Sequence, residues 1–226
     1  MIQMQNTIRL ILPIFILLLT ANTSFSQKKK KPFTGMLEYK ISARDSAMRN
    51  MIPDNAMRLY TNDTITRMEN LSPHLGSQIS IRHIELNKSY LLLTANDTMN
   101  FAIKTDLSEG DTVTSKYTFE KKRFKRKHLG MRANRMLVNH PDFKEPIEFL
   151  YVKKYSNEYL NNFDAIPGLL IKYSVATPDG VMDYELVEMR EFIPNRDLFG
   201  IPADYKKVTF DEFMDYMFPA SAPDQN

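Results

Sequence analysis

The chain has no cysteine, only seven glycines and only four histidines among its 226 residues. Without cysteine there is no disulfide, no thiolate nucleophile and no cysteine-ligated zinc or iron–sulfur cluster, so stability has to come from burying a core. So few glycines argue against glycine-rich repeats, propeller blades and nucleotide-cradling loops. His74, His83, His128 and His140 show no metal-ligand spacing, and no serine sits in a Gly-x-Ser-x-Gly elbow. No metal, cofactor or covalent chemistry is therefore expected. One-sided charge is lacking too. The net charge is +3, or +2 without Arg9, and does not by itself imply a nucleic-acid partner.

One long apolar run is present, near the start. Arg9 precedes Leu10 to Thr20, and Ser24-Phe25-Ser26 places small residues where a signal peptidase reads, with Gln27 next. A spanning helix needs roughly 20 apolar residues. This run falls short of that and contains Pro13. Lys28 to Lys31 count against easy export, since cations favour the cytoplasmic side. The expectation is a signal peptide over 1–26, a basic flexible tail over 27–32, one domain over 33–218 and a disordered tail over 219–226. The protein is then exported, to the periplasm or the outer membrane.

The rest reads as strands. Leu37, Tyr39 and Ile41 alternate on one face, as do Leu169, Ile171, Tyr173 and Val175, and Met182, Tyr184 and Leu186. Asn62-Asp63, Asn87-Lys88, Asn96-Asp97 and Pro178-Asp179-Gly180 supply the turns of an antiparallel meander. A change of apolar phase from Ile79 and Ile81 to Ile84 and Leu86 suggests a bulge near His83. Tyr155, Tyr159 and Phe163 are spaced for two helical turns. Thr209-Phe210-Asp211-Glu212 matches a capping box before the apolar face Phe210, Phe213, Met214 and Met217. The fold class is mainly β (α+β): a single antiparallel sheet of about 9–11 strands, curled into an unclosed half-barrel, with a few short helices as lid.

A sheet this long has more apolar face than short helices cover, and curling it leaves a lipid-sized hollow. Leu37, Tyr39, Leu169, Ile171, Tyr173, Met182, Tyr184 and Leu186 are the candidate lining. The densest charge run is Lys121 to Lys127. Lys122, Arg123, Lys125 and Arg126 read either as an anionic-surface contact for phospholipid headgroups or as an exposed strand edge kept soluble by cations. The carboxylates Asp183 and Glu185 share a strand face, which reads as a solvated face rather than a glycosidase pair.

Four short segments follow one another across the domain: Phe33 to Leu37, His128-Leu129-Gly130-Met131-Arg132-Ala133-Asn134, Ile166-Pro167-Gly168-Leu169-Leu170, and Phe199-Gly200-Ile201-Pro202-Ala203-Asp204-Tyr205-Lys206-Lys207. In these the chain resembles the exported bacterial proteins of the DUF4412 and GLPGLI families, which are similar to the bacterial lipoprotein-carrier fold. Where relatives often carry a cysteine, this chain has Ala133. The resemblance implies a non-enzymatic carrier for a lipid, a lipoprotein acyl chain or another apolar ligand. The alternative is an envelope interaction or assembly protein with a self-filled core, working through an exposed surface. The expected partners are an apolar ligand or lipoprotein and an anionic membrane surface or envelope protein, not nucleic acid.

Overall fold

A computed structural model describes residues 33–51, 55–62, 64–72, 76–95, 99–105, 116–156, 163, 165–178 and 180–218. The signal-peptide and tail expectations, and most of the helical turns expected between Tyr155 and Phe163, lie outside these residues, as does His74.

Among the described residues the architecture is mostly β: one unclosed sheet of twelve strands and two short α-helices. Strands β1 (Thr34–Ala43), β2 (Asn55–Asn62), β3 (Ile65–Ser72), β4 (Gly76–His83), β5 (Lys88–Ala95) and β6 (Met99–Thr105) form one meander. A second meander holds β7 (Thr118–His128), β8 (Met131–Asn139), β9 (Ile147–Val152), β10 (Leu169–Thr177) and β11 (Gly180–Glu191). Antiparallel pairing of β1 with β11 joins them, giving the order β12-β6-β5-β4-β3-β2-β1-β11-β10-β9-β8-β7. β12 (Lys206–Val208) pairs parallel to β6. At three residues it is too short to carry a periodic signal in the sequence.

To reach β6 from β11 the chain must cross five strands, and it does so over one face. The Arg67 guanidinium donates to the Leu198 carbonyl at 3.1 Å, and Ile201 and Tyr205 pack on buried Ile81, Leu92 and Ala102. On the opposite face lies the main core, in register across the central strands. Tyr39 stands opposite Leu186, Tyr173 opposite Tyr184, and Met136 opposite Phe149.

The helices sit at the margins. α1 (Ser46–Met51) follows β1 and places Met48 against Gly180. α2 (Phe210–Met217) carries the expected capping box, with both the Thr209 and Glu212 side-chain bonds made. Its Phe213 and Met217 pack on Phe101, Ile103 and Val208 beside the β6 edge, whereas Phe210 and Met214 are exposed. The expected single apolar face is therefore divided in two. Neither helix lies over the central candidate residues. Among the described residues that cover comes from Tyr117, Phe143, Phe163 and Ile166.

The bulge expected near His83 is absent. β4 pairs without a register shift and ends at His83, so Ile84 to Asn87 form a turn in which Asn87 has φ 47°. The phase change marked a strand end.

Two predictions follow from the central pairing. Gly35 has φ +143°, and a Cβ there would lie 2.0 Å from the Arg190 carbonyl oxygen. Gly35→Ala is expected to remove roughly 3–4 kcal/mol, read from urea denaturation, because the clash is with backbone that cannot yield. Burial also raises the Tyr39 and Tyr173 hydroxyls above their ordinary value of 10.0. The unfolded chain therefore loses these protons first. The stabilisation is complete below pH 10 and falls as pH rises beyond it. Denaturation midpoints from pH 8 to 11.5 should drop steeply above 10, and Tyr39→Phe should flatten that slope.

Candidate functional site

The eight candidate lining residues are brought together, and most are sealed. Leu37, Tyr39, Leu169, Ile171, Tyr173 and Leu186 are each at most 1% exposed, while Met182 and Tyr184 are half-buried. Tyr39 and Tyr173 meet edge to face at 6.0 Å, and Tyr173 and Tyr184 stack at 4.7 Å. The Tyr39 hydroxyl donates to the Leu170 carbonyl at 2.7 Å, tying β1 to a strand two places away. Phe163 inserts its ring among Phe149, Tyr117 and Tyr173, at 5.3, 4.9 and 6.2 Å between centroids. Aromatic edges thus fill the space a ligand would take.

An open hollow exists where the sheet splits. β10 begins at Leu169 and β11 runs on to Glu191, yet their pairing stops at Lys172 and Glu185. Two bulges account for the parting. One lies between Leu170 and Lys172 of β10, and the other leaves Val187 without a partner on β1. The β7–β8 hairpin reaches into the split. His128 Nε2–H donates to the Leu186 carbonyl at 2.7 Å, and Nδ1 lies 3.8 Å from a Glu185 oxygen. In a flat sheet β7 and β11, four places apart, would stand about 19 Å from each other. Only curling of this half lets them touch.

The resulting groove has a volume of about 620 Å³ and is lined by Leu129, Met131, Val152, Val187 and Met189, with Arg132, Lys154, Tyr155, Glu188 and Glu191. Its polar groups are mostly engaged with one another. Tyr155 hydrogen-bonds Glu191, and the Lys154 ammonium reaches the Tyr155 hydroxyl at 2.7 Å and Glu191 at 3.4 Å. Burial first, then the Glu191 hydrogen bond, raises the Tyr155 hydroxyl, so it remains a protonated donor at neutral pH. Glu188 pairs with Arg190. Arg132 has no carboxylate partner among the described residues. None of these lining residues stood out as a site in the sequence. The available signal was the phase break from Met182, Tyr184 and Leu186 to Val187 and Met189.

The hairpin tip is strained. Leu129 has φ 45° and Gly130 φ 74°, as a two-residue turn between paired His128 and Met131 requires. Glycine suits that conformation, whereas a leucine in it is an outlier held by its surroundings.

The basic run lies on β7, one of the two edge strands of the sheet. Lys122 pairs with Glu120 at 2.6 Å and Arg126 with Glu148 at 2.9 Å, while Arg123 and Lys125 are exposed. The acids are occupied as well: Asp183 by Arg44 and Ser174, Glu185 by Lys172, and Glu38 by Arg58. His140 is buried and accepts from the Asp142 amide at 3.2 Å. Among the described residues no three His, Asp or Glu side chains come together as a metal site. Ala133 is fully buried in the core.

The protein is thus of the class built on one large unclosed, mostly antiparallel sheet, and solved structures show partial similarity to it. PNGF-II in its C2 crystal form superposes with a TM-score of 0.50 at 15% identity, over 81% of this chain and 32% of that one. Its P21 form gives 0.49 at 12%, over 81% and 33%. The lipoprotein LppX of Mycobacterium tuberculosis gives 0.35 at 8%, over 68% of this chain and 85% of that one. The chain spans about a third of PNGF-II, and at these identities the likeness is one of fold alone. No family model and no curated protein sequence matches the chain.

Relief of the strained turn is testable. Leu129→Asn is expected to add roughly 1 kcal/mol of stability in urea titrations. The same change removes part of the apolar wall, so uptake of an apolar dye by the groove should weaken severalfold.

Proposed function

We propose that this chain is a non-enzymatic binding protein for an apolar or amphiphilic ligand such as an acyl chain, taken up in the groove between the end of β11 and the β7–β8 hairpin. One observation carries this reading: the sheet opens there onto five apolar side chains beside a cation, Arg132, that no carboxylate among the described residues engages. A volume of about 620 Å³ lies within the range of small-molecule sites. Burying ten methylenes yields roughly 8 kcal/mol, and a charge-assisted hydrogen bond to Arg132 about 2 more. Association removes at least about 4, leaving a dissociation constant on the order of tens of micromolar. The sealed face of Tyr39 and Tyr173 is the harder route. Opening it would displace Phe163, at a further cost of about 3–5 kcal/mol.

In this reading the exported location and the likeness to DUF4412, GLPGLI and lipoprotein-carrier proteins are part of the proposal, and the cargo is a lipid or lipoprotein acyl chain. The second reading, an interaction protein with a self-filled core, is favoured by the sealing of six of the eight candidate residues.

Titration with a fluorescent long-chain fatty acid separates the two. The expected result is saturable binding at tens of micromolar, weakened at least tenfold by Val187→Asp and unchanged by Phe163→Ala. A gain of binding in Phe163→Ala, with no effect of Val187→Asp, would move the site to the sealed face. No saturable binding in any variant would leave the interaction reading standing.

A further inference from the structure

The β7 edge carries a feature that the groove does not require. Lys122 pairs with Arg135 and Arg126 with Ala133, so Arg123, Phe124 and Lys125 all lie opposite the single residue Asn134. Extra residues in one strand cannot be accommodated in the ladder and are pushed outward, re-aiming their side chains. Phe124 is 78% exposed as a result, more than any other aromatic residue among those described.

The surroundings of that ring are cationic. A hollow of about 650 Å³ beside it is lined by Arg123, Phe124, Lys125, Arg126, Lys127 and Arg132. Arg126 is held by Glu148, which Arg135 shares. Arg123, Lys125, Lys127 and Arg132 have no carboxylate partner among the described residues. Lys127 and Arg132 stand directly opposite each other across the hairpin, an arrangement of like charges that destabilises a strand pair. A bound anion would relieve that repulsion. A solvated edge kept soluble by charge needs lysines, but it does not need a protruding phenylalanine or facing cations.

We propose that the Arg123–Phe124–Lys125 bulge docks the protein on an anionic phospholipid surface. Phe124 enters the interface, and Arg123, Lys125, Lys127 and Arg132 meet the lipid phosphates. An apolar ring among cations matches the layering of a bilayer surface, with acyl chains beneath a negative plane. A single-stranded nucleic acid would call for several aromatics on which successive bases stack, and this hollow offers one. Arg132 lines both this hollow and the apolar groove, so a lipid headgroup held here lies at the groove's mouth. The docking inference does not rest on the groove holding a ligand.

Co-flotation of the full chain with phosphatidylcholine vesicles, with and without about 30% phosphatidylglycerol, tests it. Partitioning onto the anionic vesicles should exceed that onto neutral ones at least twentyfold. Lys125→Glu should lower it about twenty-five-fold, since charge reversal doubles the free energy, and so squares the roughly fivefold contribution, of one cation. Phe124→Ser keeps every charge and, on an exposed side chain, keeps the fold. It should lower partitioning about tenfold while leaving fatty-acid uptake by the groove unchanged. Val187→Asp should do the reverse. Equal partitioning of wild type and Phe124→Ser would overturn the proposal, because attachment would then be by charge alone, as Lys28 to Lys31 can supply. Binding of a single-stranded oligonucleotide at lower concentrations than anionic vesicles, abolished by Phe124→Ser, would overturn it in favour of nucleic acid.

Discussion

Everything in this fold depends on the pairing of β1 with β11. Each meander is held by turns between neighbours in sequence, but the two become one sheet only because residues 35–43 find residues 182–191. The seam is built for close approach. Gly35 allows the Arg190 carbonyl nearer than a side chain would tolerate, and the Tyr39 hydroxyl reaches past β11 to the Leu170 carbonyl. Around it the largest fully buried side chains collect, Tyr39, Tyr173, Phe149 and Phe163 among them. In a chain without disulfides, this aromatic packing does the work of cross-links.

The seam also dictates where the sheet must open. Val187 is extra in β11, and beyond it β11 stays with β1 while β10 turns away toward β9. The carbonyl of Leu186 loses its ladder partner at that point and is satisfied by His128 from a hairpin four strands away. One imidazole therefore both meets a buried hydrogen-bonding need and holds the groove's outer wall in place. Arg132, one residue past the turn, gains its position beside two hollows from the same contact.

Much of the fold was legible because alternation is a direct consequence of strand geometry. β1, β10 and β11 stand where their period-two residues placed them, and the Thr209 capping box is formed as written. The site was far less legible. Leu37, Tyr39 and Tyr173 do share a face, but whether a shared apolar face becomes a hollow or a core depends on what covers it. Of the covering residues, Tyr117 and Phe143 come from connecting segments with no periodic pattern, and only Phe163 belongs to a spacing that the sequence displays. Bulges were read unevenly for a related reason. A phase change looks the same whether a strand bulges, as at Val187, or ends, as at His83, and only its partner strand distinguishes the two.

The two free edges of the sheet are guarded by different means. β6 is covered by β12 and by Phe213 and Met217 of α2, so that margin is closed by added structure. Among the described residues no strand pairs with the outer side of β7, and its three-residue bulge breaks the run of evenly spaced amide and carbonyl groups that another chain would need as a template. A uniform strand there would invite edge-to-edge assembly into fibrils. The same irregularity that thrusts Phe124 outward therefore makes this edge a poor template for pairing with another chain. The ring can be exchanged by a single substitution, but the bulge that carries it cannot be straightened without restoring the regular edge it interrupts.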